Sequence, residues 1–133
     1  MNTTAKIQHL EGTDFQKSRG FSPAVITEGG KTVWLAGQTT TTDLEGKDIA
    51  GKFDEQARTI FALLNRTLER AGGSLANLVS MTVFISDNRN GDRFVAIRRE
   101  HFPDGRYPCS ALLTISSFAR PGILIEIQGV AVI

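Results

Sequence analysis

The C-terminal segment ILIEIQGVAVI, residues 123–133, is the feature that most constrains the fold of this chain. Successive side chains of a β-strand point to opposite faces, so one face of this segment carries Ile123, Ile125 and Ile127. The opposite face carries Leu124, Glu126, Gln128, Val130 and Val132. Both faces are mainly apolar, and a sheet that contains this strand must therefore be covered on both sides.

Two helices are predicted from apolar residues at helical spacing. The first covers residues 53–71 and ends at Gly72-Gly73, and the second, shorter one contains Phe94 and His101 and ends near Pro103. Strands outnumber helices and each helix has one apolar face, so the simplest arrangement places both helices on one side of a single mixed sheet. The other side of the sheet needs a different cover, which a second copy of the chain supplies. The sequence therefore predicts an α+β homo-oligomer.

Strands are predicted where β-branched and other apolar residues run together, over residues 78–86, 110–116 and 123–133. The segment VITEGGKTVW predicts a hairpin, because Gly29-Gly30 supplies the positive φ angles that a tight turn between paired strands requires. The sequence contains no repeat or linker, and we expect a single domain over residues 1–133.

Composition and charge argue against several classes of function. A formal net charge of +1 without a basic cluster disfavours a nucleic-acid partner, because phosphate backbones are bound by grouped lysines and arginines. No apolar run approaches the roughly 20 residues that cross a bilayer, and the polar residues after Met1 do not resemble a secretion signal. We therefore expect a cytoplasmic protein without a membrane partner. One cysteine and two histidines are too few for a zinc cluster.

Glu126 is the residue that points most directly to chemistry. Its neighbours in the strand are Ile125 and Ile127, and desolvation in such surroundings disfavours the charged form of a carboxyl group. One interpretation is a structural glutamate paired with an arginine of its own or a neighbouring chain. The other is a general base or water-positioning group, which Gln128 on the same face could orient.

Cys109, the single cysteine, stands directly before the predicted strand of residues 110–116. Alternation places it on one face with Ala111 and Leu113, and places Ser110 on the other. A free cysteine among apolar residues is most often a small buried side chain. The nucleophilic alternative for Cys109 lacks a neighbouring acid–base partner in the sequence. A nucleophilic Ser110 would also need a base, and the helical spacing of His101, the nearest histidine, predicts a packed or solvated side chain.

Four segments of the chain, in the same order and spacing, resemble the Rid (reactive intermediate deaminase) family, also called YjgF. They are GFSPAVITEGGKTVWLAGQT, AGGSLANLVSMTVFIS, YPCSALLTIS and ILIEIQGVAVI. The resemblance covers nearly the whole chain from Gly20. It implies a bacillar chorismate-mutase-like fold, a barrel-like homotrimer, and small-molecule sites in the clefts between subunits. It also implies hydrolysis of 2-imino or 2-enamino acids to 2-oxo acids and ammonia, without a metal or organic cofactor.

The resemblance assigns site residues position by position. Glu126 matches the family glutamate that orients the attacking water. Ala36 and Gly37 match a Ser-Gly pair that offers backbone contacts to the substrate, and Phe21 matches a tyrosine near the pocket.

Other positions depart from the family pattern. Ser110 stands where the family has an arginine that clamps the substrate carboxylate. Val95 replaces an asparagine of the second helix, Cys109 replaces the alanine of a Pro-Ala pair, and Phe21 lacks the tyrosine hydroxyl. The familiar imine deamination is therefore in question, and a branch of the family with another substrate is favoured.

We hypothesise that Arg120 replaces the missing arginine that clamps the substrate carboxylate, because it lies in the SFARPG connection that in the family borders the cleft. The alternative is that Arg120 is a solvated loop arginine. Arg98 and Arg106 are further candidates, and we expect both to lie in water.

The sequence predicts a metal-free hydrolase of a small reactive nitrogen-containing metabolite, with Glu126 positioning water. The alternative is a non-catalytic member of the same scaffold that binds a small metabolite.

Overall fold

The computed structural model describes residues 4–133. Its strands and α-helices, in chain order, are β1 (Lys6–His9), α1 (Asp14–Ser18), β2 (Val25–Glu28), β3 (Thr32–Trp34), α2 (Phe53–Arg70), β4 (Leu78–Ile85), α3 (Gly91–His101), β5 (Cys109–Thr114) and β6 (Ile125–Val132). Short 3₁₀ helices precede β4 and α3. None of the helices in this part of the chain combines the length and apolarity needed to cross a membrane.

The main sheet has four strands in the order β3-β6-β4-β5. β4 and β5 run parallel, whereas β6 is antiparallel to both β3 and β4. β6, the C-terminal strand with two apolar faces, therefore lies in the interior of a mixed sheet, and β5 lies at an edge. The mixed sheet and the α+β class predicted from the sequence are confirmed.

Helices α2 and α3 cover one face of this sheet, which we call the helix face. Val83 of β4 and Ile127 of β6 lie opposite each other there and are completely buried. Phe61 of α2 is also fully buried, and its ring packs edge-on against Phe102 and parallel to the ring of Phe94. The predicted helix of residues 53–71 is confirmed, and Gly72 ends it with a φ of +98°.

The other side of the main sheet, which we call the open face, has no helix over it. Phe84 pairs with Glu126 and with Leu113, so these three side chains share the open face. Trp34 of β3 pairs with Val130 on the same side. Trp34 is 79% exposed and Leu113 is 47% exposed, so a large apolar surface of this sheet faces water in the single chain.

The hairpin predicted around Gly29-Gly30 is wrong in its pairing. Both glycines have the expected positive φ angles, 69° and 73°. However, β2 pairs with β1 in a separate two-stranded sheet, and β3 pairs with β6. The reason is that Lys31 and Ile133 exchange both backbone hydrogen bonds, at 2.7 and 2.9 Å, which extends the pairing of β3 with β6.

The N-terminal elements β1 and α1 were not predicted. The α1 helix has only five residues, too few for an apolar period to be visible. Its start is fixed by a capping box, in which the Thr13 hydroxyl accepts from the backbone of Gln16 and the Gln16 side chain accepts from the backbone of Thr13.

Candidate functional site

Glu126 lies in the middle of β6 and faces the open side of the main sheet. It borders a surface depression of about 270 Å³. The other lining residues are Phe84, Ile115, Ser117, Phe118 and Ala119. The depression is therefore bounded by β4, by β6 and by the connection from β5 to β6, and its walls are mainly apolar around a single carboxylate.

The carboxylate of Glu126 is held against Gly37. A Cβ atom added to Gly37 would lie 2.6 Å from Oε2 of Glu126 and 3.0 Å from its Cδ, so only glycine leaves the carboxylate where it is. Within residues 4–133, no side chain or backbone group donates a hydrogen bond to this carboxylate, and no cation pairs with it. The glutamate therefore has no arginine partner in this part of its own chain. Gln128 is exposed and does not contact it through a hydrogen bond.

Gln56 fixes the chain that leads into β6, and the sequence analysis did not identify it. Its side chain is fully buried and donates to the carbonyls of Ile49 at 3.0 Å and Gly122 at 2.7 Å. It also accepts from the backbone N–H of Leu124 at 2.9 Å. The available signal was its position three residues after Phe53, where a polar residue lies on the apolar stripe of α2.

A second cavity, of about 160 Å³, lies at the β5 edge of the main sheet. Its lining residues are Arg19, Phe21, Val95, Arg98, Ser110 and Leu112. Three of these, Phe21, Val95 and Ser110, are positions that the family resemblance assigned to one site. The structure brings those three together, and it adds two arginines to them.

The N-terminal segment closes this cavity from one side. Ser22 donates its hydroxyl to the carbonyl of Tyr107 at 2.6 Å and its backbone N–H to the carbonyl of Pro108 at 3.2 Å. It also forms a parallel bridge with Cys109 at the start of β5. These bonds hold the neighbouring Phe21 against the sheet edge.

Arg98 is buried, and the expectation that it lies in water is wrong. Only 2% of it is exposed. It lies one residue after Ile97 and one turn after Phe94, on the stripe of α3 that faces the sheet. Its guanidinium lies 5.0 Å from the centre of the Phe94 ring. It donates through Nη1 to Oγ of Ser110 at 2.7 Å.

The charge of Arg98 is unfavourably placed for an isolated chain. Burial, and secondarily the positive charge of Arg19, lowers the pKa of Arg98 to about 10. Its Nη2 donates to the backbone carbonyl of Arg19 at 2.8 Å, and its Nη1 also approaches Sδ of Met81 at 3.7 Å. Nε is buried and has no hydrogen-bond partner among the described residues.

The two cavities lie on opposite sides of the main sheet. Ser110 pairs with Met81 and faces the helices, whereas Glu126 pairs with Phe84 and faces the open side. Side chains of one strand alternate between faces, so no small shift within one chain can bring these two groups onto the same face.

Cys109 is half-buried, and its thiol donates to the backbone carbonyl of Val79 at 3.3 Å. His101 stacks on Phe61 with ring centres 4.4 Å apart, and its Nδ1 lies 2.9 Å from the carbonyl oxygen of Ile97. His101 is thus a packed histidine, as predicted. Neither residue lines the two cavities described above.

Arg120 is exposed and borders a third depression, formed with Ile123 and the threonines of residues 39–42. It does not line the depression of Glu126 or the cavity of Arg98. Ala36 is exposed beside Gly37, and Arg106 is exposed as expected. Within residues 4–133, no three histidine, cysteine or acidic side chains are grouped so that they could hold a metal ion.

Comparisons with known proteins agree with this architecture. The sequence model of the family described as Endoribonuclease L-PSP matches residues 12–133. A RutC family protein of Pyrococcus horikoshii is 25% identical over 104 residues, which are 78% of this chain and 81% of that protein. The chain therefore belongs to the Endoribonuclease L-PSP family, the group also known as Rid or YjgF proteins, and the resemblance found in the sequence is confirmed.

Solved structures of relatives have the same fold. The Rid-family protein YyfB of Yersinia pestis superposes with a TM-score of 0.83 at 22% identity, and the match covers 98% of this chain and 99% of that one. RidA of an Antarctic Psychrobacter superposes with a TM-score of 0.63 at 28% identity, over 80% of this chain and 84% of its own.

Proposed function

We propose that this chain is a metal-free hydrolase that acts on a small, reactive nitrogen-containing metabolite, of the imine or enamine type. One observation carries this proposal: the Glu126 carboxylate lies in an apolar depression with no bonding partner in the described chain. A carboxylate with free lone pairs can accept a hydrogen bond from a water molecule and then take its proton. Membership of the Rid family supports the same reading.

The chemistry requires only water as a co-reactant. Glu126 orients a water molecule whose oxygen forms a bond to the carbon of a C=NH group, and the carboxylate takes one water proton and passes it to the nitrogen, which gives a carbinolamine. The hydroxyl of that intermediate then gives the second proton to the nitrogen as the carbon–nitrogen bond breaks and the C=O bond forms, so ammonia leaves and the 2-oxo product remains. A general base of this kind contributes about 10²–10⁴-fold to rate.

We further propose that the working unit is a homotrimer of the bacillar chorismate-mutase-like type, with the substrate in the cleft between two copies. Two features support this assembly. The open face exposes Trp34 and Leu113, and covering such a surface with another copy removes apolar area from water. The cavity of Ser110 lies at the sheet edge and on the opposite side from Glu126, so a site that uses both residues needs two chains.

The test is hydrolysis of freshly generated 2-iminobutanoate or 2-aminoacrylate, followed by release of the 2-oxo acid. We expect a rate above the buffer blank for the native protein, and a fall of about 10²-fold or more for Glu126→Gln. Glu45→Gln removes an exposed carboxylate far from the depression in sequence and serves as the matched control. A native rate equal to the blank, or an unchanged rate for Glu126→Gln, would contradict the proposal.

A second candidate is a non-catalytic protein that binds a small metabolite in the same cleft. The observation that favours it is the loss of polar groups at the cavity, where Phe21, Val95 and Ser110 replace the tyrosine, asparagine and arginine of the family pattern. Binding of 2-oxobutanoate without hydrolysis of either imine would support this candidate.

The family description also names RNA cleavage. If the protein releases fragments from a labelled RNA, and Glu126→Gln abolishes that release, RNA cleavage would replace both candidate functions.

A further inference from the structure

The connection between β5 and β6, residues 115–124, is anchored at both ends. At its start, the backbone N–H of Ile115 donates to the carbonyl of Ile85 at 2.9 Å. Near its end, the carbonyl of Gly122 accepts from the backbone N–H of Gly51 at 2.9 Å. The middle of the connection forms one wall of the depression that contains the candidate general base. The position of this wall therefore depends on how its two ends are held.

Gln56 of α2 holds the second end of this connection. Its Nε2 donates to the carbonyl of Gly122 at 2.7 Å and to the carbonyl of Ile49 at 3.0 Å. Its Oε1 accepts from the backbone N–H of Leu124 at 2.9 Å. Both N–H donors of the amide are used and its oxygen is occupied. One side chain thus joins the start of α2, the loop that precedes this helix and the chain that enters β6.

The complete burial of Gln56 makes this arrangement resistant to displacement. None of its surface is exposed to water. If the connection moved away, a buried N–H or carbonyl group would lose its hydrogen-bond partner without gaining a water molecule in exchange. The three segments are therefore held in one relative position by the amide.

Leu124 links this amide to the strand that carries Glu126. The two residues are two positions apart, so the place of Leu124 sets the start of the strand on which the carboxylate lies. The N–H of Leu124 is bound by Gln56, and its carbonyl accepts from the backbone N–H of Ser86 at 3.3 Å. The chain is thus held from both sides directly before β6 begins.

Gly122 shows how closely the connection approaches the loop before α2. It has a φ of +85°, and a Cβ atom added to it would lie 2.9 Å from Cβ of Ala50. A side chain at this position would therefore push the connection away from the loop, in addition to straining the backbone.

We propose that Gln56 is a positioning residue for Glu126: by holding both ends of the segment from Gly122 to Leu124, it fixes the carboxylate relative to the facing wall of the depression. Gln56 does not line the depression itself, so it acts through the backbone that it binds. Groups that act on a bound substrate must keep their relative positions to within about 0.5 Å. The inference deepens the proposed function and rests on it for the effect on hydrolysis.

Gln56→Met tests the proposal, because it keeps the length of the side chain and removes all three hydrogen bonds. We expect kcat for 2-iminobutanoate, corrected for the folded fraction, to fall by about 10-fold or more, and KM to change by a smaller factor. The backbone amide resonances of Ala119 and Glu126, followed by NMR, should shift in the same variant.

Leu68→Ala is the matched control for lost stability. Leu68 is fully buried near the other end of α2, about 18 Å from Gln56 by the rise of the helix. This variant should retain the native kcat and the native resonances of Ala119 and Glu126. An unchanged kcat in Gln56→Met, a fall in kcat without a shift of the two resonances, or an equal fall in Leu68→Ala would overturn the proposal.

Gly122→Ala disturbs the same contact from the other side and should also lower kcat by about 10-fold. Gly105→Ala is its control, because Gly105 has a φ of +72° and an added Cβ would meet no atom within 4 Å. Since Gln56→Met and Gly122→Ala act on one contact, the double variant should lose less than the product of the two separate losses. A loss equal to that product would overturn the proposal. If Gln56→Met does not fold, Gly122→Ala compared with Gly105→Ala decides.

Failure of this inference is distinguishable from failure of the proposed function. Native hydrolysis that persists unchanged in Gln56→Met would overturn the positioning role and leave the hydrolase standing. If the native protein hydrolyses neither imine, the hydrolase is overturned and the two resonances alone decide. A shift of both in Gln56→Met, but not in Leu68→Ala, would then retain the positioning of Glu126 by Gln56.

Discussion

The two faces of the main sheet are built from alternating residues of the same strands, yet they differ in how completely they are filled. On the helix face, Val83 and Ile127 are fully removed from water by α2 and α3. On the open face, Trp34 and Leu113 remain largely exposed. The helix face therefore stabilises the single chain, whereas the open face has apolar surface left to bury against something else.

The same contrast separates the two candidate half-sites. Glu126 belongs to the open face, and Ser110 with Arg98 belongs to the helix side at the β5 edge. Among residues 4–133, the carboxylate of Glu126 has no cation partner and the buried guanidinium of Arg98 has no anion partner, and the two lie on opposite sides of one sheet. The homotrimer proposed above would bring such groups together from two copies of the chain.

The largest effect that separates the two faces is expected for a pair of phenylalanines. Phe61→Ala on the helix side should lower the free energy of unfolding by about 3–5 kcal/mol, because it leaves a cavity in a closed core. Phe84→Ala on the open face should cost about 1–2 kcal/mol, since its ring is only partly buried. Urea unfolding with an unchanged m-value measures both. Equal losses would contradict the difference between the faces.

Assembly is the next largest expected effect. Leu113→Lys places a charge on the open face and should weaken self-association by about 10–100-fold, or 1.4–2.7 kcal/mol, while the fold of the single chain is retained. Phe15→Lys is the matched control, because Phe15 is 67% exposed on α1, outside the open face. Light scattering across a dilution series reports the change. Equal dissociation by both variants would show that the open face is not the specific interface.

Much of this fold was predictable from the sequence, because the spacing of apolar residues within a segment shows which side of a strand or helix is buried. The alternation around Glu126 and the helical spacing from Phe53 correctly gave β6 and α2. The pairing of β2 with β1 was not predictable, since the turn at Gly29-Gly30 has the conformation of a hairpin and only the distant partner Ile133 decides where β3 goes.

Of the two parts of the candidate site, only the one that contains Glu126 was predictable from the sequence. Glu126 stood out as a carboxylate among isoleucines, whereas Arg98 was assigned to water because a helix carries most of its charges outward. The position of Arg98, one residue from Ile97 on a stripe with Phe94, was a signal for burial. The contact with Ser110 joins α3 to β5, and no spacing within either segment could have indicated it.

Gly37→Ala tests how tightly the open face holds its carboxylate, with a smaller expected effect. The new Cβ would lie 2.6 Å from Oε2 of Glu126, and the flexible carboxylate is the part that can move away. We expect kcat for imine hydrolysis to fall by about 10-fold with little change in stability, because a misplaced group orients water poorly. Gly91→Ala controls for the loss of a glycine, because Gly91 has a φ of −60° and an added Cβ would meet no atom closer than 4.0 Å. An unchanged kcat would show that this contact does not position the carboxylate.

The smallest expected effect belongs to His9, which lies in β1 of the separate two-stranded sheet. Burial, and secondarily the charge of Arg106, lowers the pKa of His9, and its Nε2 is buried without a partner in the described chain. The unfolded chain therefore takes up the proton at a higher pH than the folded chain. The stabilising contribution of the neutral imidazole is complete above the unfolded pKa of about 6.5 and is lost as the pH falls below it.

Because His9 is partly solvated, the free energy of unfolding should change by only about a few tenths of a kilocalorie per mole between pH 7 and pH 5. His9→Gln should abolish it, and Arg106→Gln should reduce it by removing the weaker of the two causes. Urea midpoints between pH 7 and pH 5, compared for the three proteins, measure the slope. A native slope that persists in His9→Gln would assign the pH dependence to other groups.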